Sequence, residues 1–112
     1  MRLPFASKAT VERKKVVEYL LNLNHPIGGP KARFFRQFGF SPEQWEVFAK
    51  ALVAHAENNE IVSTEQTEFG PRYEVAGRIQ CPNGKTPHIV TVWQHDTGQV
   101  APRLITAYPF NS

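Results

Sequence analysis

The sequence has one cysteine, no apolar run long enough to span a membrane and no phosphate-cradling glycine loop. A lone cysteine excludes an internal disulfide and a multi-cysteine zinc site. It stands in Cys81-Pro82-Asn83-Gly84, a turn, where it reads as a bystander thiol. No stretch approaches the ~20 apolar residues a bilayer requires. Met1–Lys8 has no apolar core of signal-peptide length, so the expectation is a cytoplasmic protein with no membrane partner. Gly28-Gly29 lacks dinucleotide-loop spacing, no Gly-Lys-Ser/Thr occurs, and no cofactor is expected. His88 and His95 share a predicted strand at odd spacing and therefore face opposite ways. His25 has no acidic or cysteine neighbour at ligand spacing, so no metal site is expected either.

What is present describes one ordinary folded domain over residues 1–112, 41% hydrophobic and 21% charged. The formal charge is +3 and the pI about 9.2, which suits a polyanionic partner without requiring one. Residues 1–9 read as a partly ordered lead-in, 10–59 as helical and 60–110 as antiparallel sheet. Thr10 is the expected cap of a first helix, in which Val16, Val17, Leu20, Leu21 and Leu23 recur at helical spacing. Arg13-Lys14-Lys15 reads as its solvated face. Pro26 and Gly28-Gly29-Pro30 end that helix, and Pro30 opens a second that buries Phe34, Phe35 and Phe38 and stops at Gly39. Ser41-Pro42-Glu43-Gln44 reads as a capping box before a third helix through Phe48, Leu52 and Ala56, with His55 off its core stripe at the surface.

From Glu60 the hydrophobic period changes to two. Four strands follow, the last two being the hairpin His88–His95, Asp96-Thr97-Gly98 and Pro102–Pro109. The fold class is α+β, with three N-terminal helices packed on one face of a four-stranded antiparallel meander sheet. The other sheet face is then open to a ligand or partner. Alternation sets Val90 and Val92 against Thr91, Trp93 and His95, and suggests that the valines meet the core while the polar set faces out.

The candidate chemistry is cationic and hydroxylic. Lys31 and Arg33 fall in the first turns of the second helix, where backbone N–H groups already favour a phosphate, or they simply solvate its outer face. His25 either joins that site or bonds local backbone in a turn. Arg103, Thr106, Tyr108, Thr91, Trp93 and His95 are the hairpin candidates, with cross-strand packing as the other reading of Trp93 and Tyr108. Metal-independent RNA cleavage needs a proton acceptor for the ribose 2′-OH, a cation for the phosphorane and a proton donor for the leaving 5′-oxygen. His25 or His95, Lys31 or Arg103, and Tyr108 are of the right types.

His25-Pro-x-Gly-x-x-Lys31-Ala-x-Phe-Phe with Gly39-Phe40, and Thr91-Val-Trp93 with Leu104-Ile-Thr-Ala-Tyr-Pro109, resemble an uncharacterised family of small bacterial domains. The resemblance spans residues 14–109. Its plan is similar to that of the barnase–EndoU–colicin–RelE group, toxin RNases that cut RNA without metal and are bound by immunity proteins. That likeness implies catalytic roles for His25, Lys31, Arg103, Thr106 and Tyr108, and substrate contacts from Arg33, Thr91, Trp93 and His95. It also implies RNA as substrate and a cognate antitoxin or immunity protein as partner. The alternative is a non-catalytic module, antitoxin-like or adaptor, that docks a protein on the open sheet face with Trp93 and Tyr108 as anchors.

Overall fold

The computed structural model describes residues 1–110. Three helices precede a four-stranded antiparallel sheet: α1 (Arg13–Lys15), α2 (Gly29–Arg36), α3 (Trp45–Asn58), then β1 (Ile61–Thr67), β2 (Gly70–Arg78), β3 (His88–Gln94) and β4 (Arg103–Pro109). The strands lie in sequence order, a meander, and the helices cover one face of it. Among the described residues no helix is long and apolar enough to cross a membrane.

The helical half departs from expectation at its start. Thr10 does not cap α1: its N–H bonds Pro102 O (2.9 Å) and its carbonyl accepts Leu104 N–H (3.0 Å), a short parallel bridge beside β4. Glu12 heads α1 instead, and the helix passes at once into a π-helical stretch, Val16–Leu20. The Leu21 N–H reaches back five residues to Val16 O at 2.8 Å. Such wide turns are rare and gather at functional sites, because the extra residue re-aims a side chain. Val16, Leu20 and Leu21 are still buried, but Leu23 is left exposed and Tyr19 swings towards the sheet edge. The capping box at Ser41 does not form either. A 3₁₀ turn, Pro42–Gln44, uses the Ser41 carbonyl, and Gln44 takes the cap position of α3.

The two faces of β3 are the reverse of those expected. Thr91 and Trp93 are fully buried and turned to the helices, whereas Val90 and Val92 lie on the opposite face. The cause is a polar chain inside the core. Trp93 donates Nε1–H to Thr91 Oγ1 (2.8 Å), Thr91 meets His55 Nδ1 (3.0 Å), and His55 Nε2 meets the Gly77 carbonyl (3.0 Å). Every polar atom of the chain thus has a partner, which removes the usual penalty for burying it. His55 is therefore a core residue, only 2% exposed, and not the surface histidine that its spacing suggests. Val90 and Val92 stay covered on the far side by the longer side chains of β2 and β4 that flank them.

Burial holds the His55 imidazole below its ordinary value, against the pull of backbone carbonyl bonds. A group that ionises less readily folded than unfolded supports the fold fully above its unfolded value, near 6.5 for histidine, and progressively less as pH falls below it. The urea midpoint is expected to drop between about pH 7.5 and pH 5.5, and His55→Gln to flatten that drop. A wild-type midpoint constant over this window would refute the assignment. Glu60 and Asp96, which ion pairs hold below the carboxylate range, act only in more acidic solution.

Strand β4 contains a bulge. Val92 pairs with Thr106 but Trp93 with Leu104, so Ile105 is an extra residue. Leu104 and Ala107 therefore both face the helices, and Arg103, Thr106 and Tyr108 share the open face with Glu74. Strict alternation would have split that set.

Candidate functional site

Tyr19, Lys31 and Thr106 form a closed triangle where the helices meet the outer edge of β4. Lys31 Nζ lies 2.6 Å from Tyr19 Oη and 3.2 Å from Thr106 Oγ1, and the two hydroxyls are 3.1 Å apart. The π turn supplies Tyr19, the first turn of α2 supplies Lys31, and the bulge in β4 aims Thr106. A lysine ammonium carries three donors. Two are used here, and the third remains for a further acceptor.

His25 completes the corner. Its ring meets that of Tyr19 edge-on, with centroids 4.9 Å apart. Its Nδ1 accepts the backbone N–H of Ile27 (3.1 Å) and of Gly28 (2.9 Å), and its carbonyl accepts that of Gly29 (2.9 Å). His25 thus closes the turn that leads into α2, whose N-cap position is Gly28. The Gly28 and Gly29 N–H groups at the start of α2 are taken by His25, and Pro30 has none to offer. With the Nδ1 lone pair engaged, the hydrogen of the neutral ring sits on Nε2.

Gly28 must be glycine for this corner to close. A Cβ there would fall 2.5 Å from the Tyr19 carbonyl oxygen and 2.7 Å from its ring. Gly28→Ala is expected to displace Tyr19 and cost about 1–3 kcal/mol of stability by overpacking. Thermal unfolding measures this, and a loss below about 0.5 kcal/mol would show that the corner has slack.

An open hollow of about 660 Å³ lies alongside, lined by Glu12, Lys15, Glu18, Tyr19, His25 and Ile105 among others. Lys15, expected on a solvated face, stands 5.6 Å from the centre of the Tyr19 ring, and Lys31 5.1 Å from it. Burial, the largest influence, pushes the Tyr19 phenol up. Hydrogen bonds to Lys31 and Thr106 and the charges of Lys31 and Lys15 outweigh it, so the phenol ionises below its ordinary value. Tyr108, two residues beyond Thr106 on the same face, behaves oppositely. It donates its hydroxyl to Glu74 (2.7 Å), and burial with that carboxylate pushes it up to about 12.

Of the residues singled out by sequence, His25, Lys31 and Thr106 gather in this region, whereas Tyr108 turns its hydroxyl across β3 to Glu74. The others do not. Arg103 shares the face but is paired with Asp96 (2.7 Å), which raises its own value and keeps it at the far end of β4. Arg33 is exposed, about 200° round α2 from Lys31. Thr91 and Trp93 belong to the core chain with His55. His95 bonds the Gln99 carbonyl (2.9 Å) in the hairpin loop and packs edge-on against Phe5. Sequence reasoning missed Tyr19, which sits mid-helix between Glu18 and Leu20 and carries no motif; the π turn that turns it outward has no sequence signature. Cys81 stays a bystander, its thiol pushed up by burial to about 11. Among the described residues no group of three or more His, Cys, Asp or Glu side chains could hold a metal ion.

The comparisons with known proteins place the chain without naming a reaction. The chain belongs to the family described as domain of unknown function (DUF6883), whose profile matches residues 2–111. A chain in a contact-dependent growth inhibition toxin–immunity protein complex from Klebsiella pneumoniae 342 has the same fold, with a TM-score of 0.73. The two chains are 18% identical over 96% of this chain and 97% of that one. No curated protein matches.

Proposed function

We propose that this domain is a metal-independent endoribonuclease of the toxin type, similar in plan to the barnase–EndoU–colicin–RelE group. The observation that carries the proposal is the Lys31–Tyr19–Thr106 triangle, a cation held by two hydroxyls at the border of an open hollow. In this reading the phosphodiester sits over the triangle. The free N–H of Lys31 and the Thr106 hydroxyl hold the non-bridging oxygens and stabilise the added charge of the phosphorane. His25 donates from Nε2 to the same phosphate. Tyr108 stays a phenol at every physiological pH and has a proton to give to the leaving 5′-oxygen, recovering it from solvent. Lys14 and Lys15 line the hollow and attract the flanking backbone phosphates.

The similar complex contains both a toxin and an immunity protein, and at this identity the likeness carries the fold alone. The choice between the roles therefore rests on side chains. A protein-docking module has no need of a lysine held by two hydroxyls beside a pocket, whereas phosphoryl chemistry does. RNA is accordingly the proposed substrate in the cytoplasm, and a cognate immunity or antitoxin protein the proposed partner. The test is incubation of the purified domain with total RNA in excess chelator. Fragments ending in 2′,3′-cyclic phosphate and 5′-hydroxyl are expected. Intact RNA under several buffers, with harmless expression in cells, would favour the docking module.

A further inference from the structure

We infer that Tyr19 is the group that takes the proton from the ribose 2′-OH, a catalytic role that rests on the ribonuclease reading above. A proton acceptor needs a free lone pair facing the substrate. His25, the obvious choice by residue type, has spent its Nδ1 lone pair on the Ile27 and Gly28 N–H groups, and its Nε2 bears hydrogen. Glu74 accepts the Tyr108 hydroxyl and lies on β2, separated from β4 by the whole of β3. Glu12 and Glu18 are exposed on the wall of the hollow and make no hydrogen bond to the triangle among the described residues.

Tyr19 meets the requirement. Its oxygen touches both Lys31 Nζ and Thr106 Oγ1, so a phosphate held by those two groups brings its ribose to the phenol. The groups facing it from every packed element are the cations Lys15 and Lys31, the His25 ring and the wall carboxylates Glu12 and Glu18. The near cations favour the phenolate, in keeping with the lowered value of this side chain. The step balances without a metal. The phenolate oxygen takes the 2′ proton while O2′ bonds to phosphorus. The P–O5′ bond then breaks, and O5′ leaves with its electron pair and receives the Tyr108 proton. Tyr108 lies two residues along β4 from Thr106 on the same face, and its hydroxyl must leave Glu74 to reach the departing O5′.

Single-turnover cleavage of an RNA strand between about pH 6 and pH 10 tests the assignment. The wild-type rate is expected to climb with pH and level off as the phenol ionises. Tyr19→Phe is expected to lose about 10²–10⁴-fold and the climbing limb with it, while its circular dichroism stays that of the wild type. Fluorotyrosine at position 19, whose phenol ionises more readily, is expected to move the limb to lower pH together with its own tyrosinate absorbance. A purely structural Tyr19 would move neither. Cleaving wild type with an indifferent Tyr19→Phe, or a limb unmoved by fluorination, overturns the inference and leaves the ribonuclease reading standing. A wild type that cleaves nothing overturns both.

Discussion

Lys31→Ala is expected to lower RNA cleavage by about 10²–10³-fold with the domain still folded. The size follows from the task assigned to Lys31. It is the one cation seated between Tyr19 and Thr106, and charge developing on the phosphorane has no equivalent donor nearby. Of the arginines on the open sheet face, Arg103 is engaged with Asp96 and Arg72 with Gln94. Lys31→Arg is expected to recover only part of the rate, because a planar guanidinium cannot direct three N–H groups as an ammonium does. Initial rates on a defined RNA, with melting temperatures alongside, give both quantities. A Lys31→Ala protein that cuts at the wild-type rate would remove the triangle from any catalytic account.

Trp93→Ala is expected to cost about 3–5 kcal/mol, a large part of the 5–15 kcal/mol that separates folded from unfolded in a domain of this size. Trp93 heads the largest fully buried side chains and sits near the C-terminal end of β3, between Tyr73 and Leu104 of the flanking strands. Truncation leaves a cavity and also takes the indole donor from Thr91, whose oxygen is shared with His55. Trp93→Phe separates the two losses, since it fills most of the space and supplies no N–H. Urea unfolding of both variants measures the split. A Trp93→Ala loss under about 1 kcal/mol would mean that the core relaxes around the gap, contrary to the packing described.

The α+β plan was legible because the hydrophobic period changes from helical to alternating at Glu60. Lys31 was legible too, since Pro30 fixes the start of α2 and a lysine in its first turn invites an electrostatic explanation. The faces of β3 were not. Alternation gives two sets of side chains but not which set is inside, and here the set with hydroxyl, indole and one valine-free face is inside. The deciding partner is His55, thirty-six residues upstream of Thr91 in the chain. Tyr19 was hidden for a related reason. Its neighbours Val16, Leu20 and Leu21 make a good α-helical stripe, and only a wider turn takes the phenol out of register with them. Arg103, Thr106 and Tyr108 come to one face only through the extra residue Ile105.

Both margins of the sheet are guarded, and that limits how the domain could be silenced. Along β4 the Thr10 backbone already occupies part of the ladder, and Tyr19 and Lys31 crowd the middle. Along β1 the pairing slips between Ile61 and Ser63, and the margin displays Ser63, Thr64, Glu65 and Gln66 to water. Edges built in this way resist recruitment of a foreign strand. On the proposed ribonuclease reading, an inhibitor would have to arrive side chain first, laying its own carboxylates beside Lys15 and Lys31 in place of the nucleic acid.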